Sequence, residues 1–213
     1  MDYSFFGKGQ DMQTSIKIIY LARHGETTAN RENKILGKLD FPLTKEGIKG
    51  SEKAGKLLSG ENMDIILSSP LGRAYSTARI IGKEMNKPIV IHPCLSELSC
   101  GLWEGKDRNE VLPPGKPLRR TWDETPPQGE SFQDREEELK CLVRQIKDPE
   151  YYQRILIVGH GGINQLFLSL WFNLEKNPQT LPLQPHPVIY QLAGDSVGWM
   201  DAGGNKGKGW WRA

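Results

Sequence analysis

"IIYLARHGETTAN", Ile18 to Asn30, decides how this chain is read. Ile16 to Ala22 is apolar and rich in β-branched residues, as expected of a short buried strand. It leaves the core through Arg23-His24-Gly25-Glu26 and then a polar loop. An arginine and a histidine together at the end of a strand could form a plain surface turn, or the start of a site if other strand ends supply matching residues. The glycine beside them lets other backbone come close.

Working outward, similar runs recur at Asp64–Ser69, Pro88–His92, Arg154–Gly159 and Val188–Ala193, the last suited to a sheet edge. Helical spacing separates them. Thr44 can cap a helix with Glu46 in its first turn and Ile48, Ser51, Ala54 and Leu58 on one face. Leu71, Ala74, Tyr75, Ala78, Ile81 and Met85 form a second stripe. Ser131 opens a third helix, with Phe132, Leu139, Leu142, Val143 and Ile146 facing inward; Ile163, Leu166, Phe167, Leu170 and Trp171 mark a fourth. Strands alternating with helices predict an α/β fold, a three-layer sandwich whose mostly parallel central sheet is flanked by helices.

The expected organisation is one domain over residues 16–198, preceded by a loose arm at 1–15 and followed by a flexible tail at 199–213, where Trp210 and Trp211 could dock. Residues 93–130 are crowded with proline and glycine, which predicts a cap insert shaped for function. With 213 residues, 25% charged, 37% hydrophobic and a net charge of +2, nothing calls for nucleic acid or a membrane as partner. Leu166–Phe172 is the longest apolar run, far below the roughly 18 residues of a membrane span. Three cysteines without a CxxC pair suggest a reducing, cytoplasmic setting.

Parallel sheets gather chemistry just past their strand ends. Arg23, His24 and Asn30 follow the first strand. Ser68, Ser69 and Arg73 follow the second, Glu97 lies past the third, and His160-Gly161-Gly162 follow the fourth. Two histidines, two arginines and a carboxylate fit phosphoryl transfer. Arginine forks match phosphate oxygens, and a neutral imidazole can attack phosphorus. Glycines let backbone approach an anion, and a carboxylic acid protonates the departing alkoxide. His92 and His186 lack such a setting and are expected to be structural or on the surface.

These residues resemble the histidine phosphatase superfamily, the phosphoglycerate-mutase-like group. The likeness runs through "ARHGETTAN", "DFPLTKEG" (Asp40–Gly47), "ILSSPLGRAYSTA" (Ile66–Ala78), "LSELSCGLWEG" (Leu95–Gly105), "QGESFQD" (Gln128–Asp134) and "IVGHGGI" (Ile157–Ile163). It implies a phosphoglycerate mutase-like fold and a phosphohistidine formed on His24. Arg23, Asn30, Arg73 and His160 would grip the phosphoryl group, and Glu97 would be acid and then base. Backbone at Gly37 and Gly161 would contact substrate. No metal or organic cofactor is implied, and the partner is a small-molecule phosphate ester, acted on by a monomer or homodimer.

Three departures stand out: Leu36 where a polar residue is common, Gly50-Ser51 where glutamine-alanine is expected, and Asn164 where an arginine sometimes stands. The first puts a substrate contact in doubt, the second bears on helix packing, and the third is expected to alter substrate preference. Lys106, Arg108, Arg119 and Arg120 could meet a second anionic group, and Trp103 and Trp122 an apolar wall. Within the family, "SELSCGLWEGKDRNEV" (Ser96–Val111) resembles the phosphatase-type members, so a phosphatase is expected, with a phosphoglycerate mutase-type phosphoryl transferase as the alternative. Outside it stand a non-catalytic binding module and a serine hydrolase. "GDSVG" (Gly194–Gly198) fits a nucleophile elbow, but no histidine follows Ser196, so a turn is expected there.

Overall fold

Alternation sets the layers. Along β1 (Ile18–Arg23), Ile19 and Leu21 point to one face of the sheet and Tyr20 and Ala22 to the other, and all four are buried. A strand covered on both faces needs the unbroken apolar run seen in the sequence. The computed structural model describes residues 17–211, so the expected N-terminal arm lies outside the described residues.

β2 (Ile65–Ser68), β3 (Ile89–Ile91) and β4 (Arg154–Gly159) complete the parallel part of the sheet. β5 (Ile189–Ala193), β6 (Ser196–Met200) and β7 (Lys206–Lys208) extend it antiparallel, in the order β3-β2-β4-β1-β5-β6-β7. The connecting helices are α1 (Thr28–Arg31), α2 (Lys45–Leu58), α3 (Gly72–Met85), α4 (Arg108–Val111), α5 (Phe132–Lys147) and α6 (Gly161–Phe172). α5 and α6 share a core with Ile19, Leu21, Leu67 and Ile157. α2 and α3 cover the opposite face over Tyr20, Ile66, Leu156 and Val158. The result is the three-layer α/β sandwich expected.

The helix starts follow the sequence signals. Thr44 accepts from Gly47 N at α2, and Ser131 forms a reciprocal capping box with Asp134 at α5. α3 and α6 have no local side-chain cap; each is met by a carboxylate from a distant loop. Asp40 accepts from the main-chain nitrogens of Gly72 and Arg73, and Glu97 from those of Gly162 and Ile163.

Several expectations need correction. Ile48 is exposed, because the inward stripe of α2 is completed by Gly47 and Gly55 instead. β5 is not an edge strand: it lies between β1 and β6. The tail from residue 199 on carries the end of β6 and all of β7, and Trp210 packs edge-on against Phe172 and Tyr190 at 5.7 and 5.5 Å. Glycine hides these strands from propensity, since it is depleted in sheets. Here Gly207 faces Trp199, and a Cβ at Gly207 would lie 2.4 Å from the indole nitrogen, so the ring needs the bare backbone. Among the described residues no helix is long and apolar enough to cross a membrane.

Candidate active site

Sheet order builds the site. β2, β4 and β1 are neighbours, with Ser68 opposite Val158 and Arg23 opposite Gly159. The ladder runs one residue further: Ser69 N donates to Val158 O and His24 N to Gly159 O, both at 3.0 Å. Ser69, His160 and His24 therefore stand side by side, with the two imidazole centroids 5.1 Å apart.

His24 is buried, and its Nδ1 lies 2.8 Å from the Gly25 carbonyl oxygen. A carbonyl only accepts, so Nδ1 carries the proton and Nε2 keeps its lone pair. Burial, then the neighbouring His160 and Arg23, hold its pKa well below the ordinary histidine value. The ring is neutral at neutral pH, the form a nucleophile needs. Gly25 is required for the approach of α2: a Cβ there would sit 2.8 Å from Gly47 O.

His160 is turned the other way. Its Nε2 is 2.7 Å from Ser69 Oγ, which also accepts from Leu71 N at 3.2 Å. With the Ser69 hydroxyl donating to Nε2, the proton sits on Nδ1, which is buried and has no hydrogen-bond partner. Burial, Arg73 and Arg23 keep this ring neutral too.

The arginines are braced at their tips and open at Nε. Arg73 gives Nη1 to Leu39 O at 2.6 Å and to Asp40 Oδ1 at 3.3 Å, and Nη2 to Gly37 O at 2.7 Å. Arg23 gives Nη1 to Gln184 O at 3.3 Å. The Nε of both is buried and unpartnered. Gly37 thus acts through its carbonyl, at φ +52° and with no room for a Cβ beside the Glu104 carboxylate. Asn30 spends Oδ1 on the Thr27 cap, leaving its amide NH₂ for the cleft.

Glu97 Oε1 accepts from Leu98 N and Ile163 N, both at 3.0 Å, and Oε2 from Gly162 N at 3.1 Å. Oε2 is therefore the oxygen freer to carry a proton. Arg23, His24, Asn30, Gly37, Arg73, Glu97 and Gly161 line one cleft of about 380 Å³, and His160 lies against the His24 ring. The residues expected to handle the phosphoryl group, Arg23, His24, Asn30, Gly37, Arg73, Glu97, His160 and Gly161, are thus grouped at one place.

A model of the histidine phosphatase superfamily (branch 1) matches residues 19–196, most of the chain. The chain belongs to that superfamily. The adenosylcobalamin/alpha-ribazole phosphatase of Escherichia coli K12 is 31% identical over 156 residues, which is 71% of this chain and 77% of that protein. A Cronobacter sakazakii protein named "Probable phosphoglycerate mutase GpmB" is 32% identical over 148 residues, 67% and 69% of the two chains. Among solved structures, a mycobacterial glucosyl-3-phosphoglycerate phosphatase with VO3 superposes with a TM-score of 0.77. It covers 92% of this chain and 99% of its own at 24% identity, a likeness of fold.

In this superfamily member the rim departs from several expectations. Arg108 and Arg119 line the cleft, joined by Lys34, but Lys106, Arg120, Trp103 and Trp122 do not. Arg119 spends Nε on Glu130 O and Nη2 on Ser99 O, and the Trp122 indole donates to Glu136 and stacks on Phe132. Asn164 does not face substrate. It is buried, and its Nδ2 donates to Ala22 O and Gln184 Oε1, so it ties β1 to the segment before β5. Ser196 stands exposed at the start of β6, after the turn expected.

His186 was misread. Its ring centroid lies 5.1 Å from that of His24. β5 runs antiparallel to β1 with Ile189 opposite Ala22, so residues just before β5 meet those just after β1. Only the strand direction reveals this.

Proposed function

We propose that this protein is a phosphatase that hydrolyses a small-molecule phosphomonoester through a phosphohistidine on His24. The reading rests on three buried donors without partners, Arg23 Nε, Arg73 Nε and His160 Nδ1, on residues grouped with His24, whose Nε2 keeps its lone pair. Unmet buried donors are costly, and a tetrahedral dianion would satisfy all of them.

In the proposed reaction His24 Nε2 attacks phosphorus as the bond to the ester oxygen breaks. Arg23, Arg73, His160 and the Asn30 amide take up the charge on the equatorial oxygens, with no metal in the steps. Glu97 gives a proton to the leaving alcohol. Water then attacks the phosphohistidine in line, Glu97 takes its proton, and His24 is released with inorganic phosphate. Fixed donors need no reorganisation as the charge moves, which is the main catalytic contribution here.

Phosphoryl transfer between positions of one substrate is the second reading, favoured by the mutase-named relative. Both use the same nucleophile, and water access decides between them. Purified protein should release phosphate steadily from a panel of phosphate esters, and His24→Ala should not. Interconversion of phosphoglycerate isomers without phosphate release would establish the transferase instead. Absence of both activities would overturn the catalytic reading.

A further inference from the structure

A second cavity, about 230 Å³, lies against the same nucleophile between α2, α3 and the segment before β5. It shares Arg23 and His24 with the catalytic cleft but is otherwise walled by different residues, Gly50, Ala54, Ile81, Pro187 and Val188 among them. It is larger than the about 150 Å³ apolar cavity known to admit benzene.

One glycine makes the room. α2 carries Gly47, Gly50 and Gly55 in its interior. A Cβ at Gly47 would lie 2.2 Å from Glu26 O and one at Gly55 2.9 Å from Glu84 Cγ, so close packing demands both. At Gly50 the nearest atom would be Pro187 Cβ at 3.8 Å, which is ordinary contact. Glycine is the poorest helix former after proline, and here packing does not require it. What its missing side chain provides is the cavity.

The polar wall names the ligand chemistry. His186 faces this cavity with both ring nitrogens buried and unpartnered; the His24 main chain is near, but not in hydrogen-bonding geometry. Burial holds the ring neutral, so it offers one donor and one acceptor. Glu26 and Glu46, joined through Arg31, line the cavity together with Arg23. An anion meets the carboxylates, and a cation meets Arg23.

We propose that this cavity is a second binding site, for a small neutral molecule with an apolar ring or short chain and one group that both donates and accepts a hydrogen bond to His186. Such a ligand would touch His24, and so tune the nucleophile.

Phenol serves as the probe, followed through the histidine ring nitrogens by ¹H–¹⁵N NMR. This needs no activity, so its failure is separate from that of the phosphatase assignment. Saturable shifts of the His186 ring at millimolar phenol are expected, unchanged by saturating inorganic phosphate. Affinity should persist in Gly50→Ala and fall at least tenfold in Gly50→Leu, whose side chain fills the space. No saturable shift, equal affinity in a folded Gly50→Leu, or displacement by phosphate would overturn the proposal. Crystals soaked with 4-bromophenol give a readout in the native protein. Anomalous bromine density against His186 supports the site; density in the catalytic cleft, or nowhere, refutes it.

Discussion

His24-Gly25 and His160-Gly161 are the same dipeptide at the ends of two adjacent parallel strands, yet the two rings are wired in opposite senses. The Gly25 carbonyl takes the Nδ1 proton of His24 and leaves Nε2 as a base. The Ser69 hydroxyl engages Nε2 of His160 and leaves Nδ1 as a donor. In the proposed mechanism, one hydrogen bond on the far nitrogen suits the first ring to act as nucleophile and the second as phosphate ligand. Side-chain identity alone assigns neither role; the partner each ring meets past the strand ends does, a carbonyl for His24 and a hydroxyl for His160.

Unequal losses on mutation follow from this contrast. His24→Ala should lower kcat by about 10⁴–10⁶-fold, the scale on which nucleophile removal acts. A smaller loss, or one equal to that of His160→Ala, would erase the distinction. Glu97→Gln, at the start of the helix that follows His160, should cost about 10²–10⁴-fold with alkyl phosphates. A nitrophenyl ester, whose leaving group needs no proton, should lose far less; equal losses would remove the acid role. His160→Ala takes away a single donor and should cost about 10²–10³-fold. Ser69→Ala leaves the donor but loosens its tautomer, for about 1 kcal/mol, or roughly fivefold.

The contrast also has a pH signature. Both rings titrate well below the ordinary histidine value, so both stay neutral as pH falls from 7 toward 6. In ¹⁵N spectra His24 should remain the Nδ1–H tautomer through that range, and an imidazolium midpoint near 6.5 would contradict it. The sign for stability follows from linkage. The folded pKa lies below the unfolded one, so the unfolded chain binds protons first. Stability is then full above about pH 6.5 and declines as pH falls, by up to about 1.4 kcal/mol per pH unit for each such histidine. His186, pushed down to about 3 by burial, adds to this. Urea unfolding of His186→Gln between pH 7 and 5 should show a shallower decline than the wild type.

The parallel half of the molecule was legible because β1, β2 and β4 are buried on both faces and announce themselves as apolar runs, such as Ile18 to Arg23 and Arg154 to Gly159. Much of the candidate site was legible for the same reason, since Arg23, His24, Ser69, Arg73 and His160 follow such strands at short range, whereas Gly37 came only from the family resemblance. The antiparallel half was not. β6 and β7 contain Gly198 and Gly207, whose value lies in a close approach across strands that no local pattern records. His186 and Asn164 were misjudged because their surroundings depend on β5 lying beside β1 in reverse direction. Gly50 looked like a packing detail, and only the space around it shows that packing does not use it.

The assignment of the two rings is decided by where phosphorus bonds during turnover. Rapid quench with ³²P-labelled ester, alkaline digestion and separation of the phosphohistidine isomers should recover acid-labile label at residue 24 as the Nε2-phosphorylated isomer. Label on the Nδ1 nitrogen, label at His160, or turnover with no labelled protein would contradict the wiring described for His24.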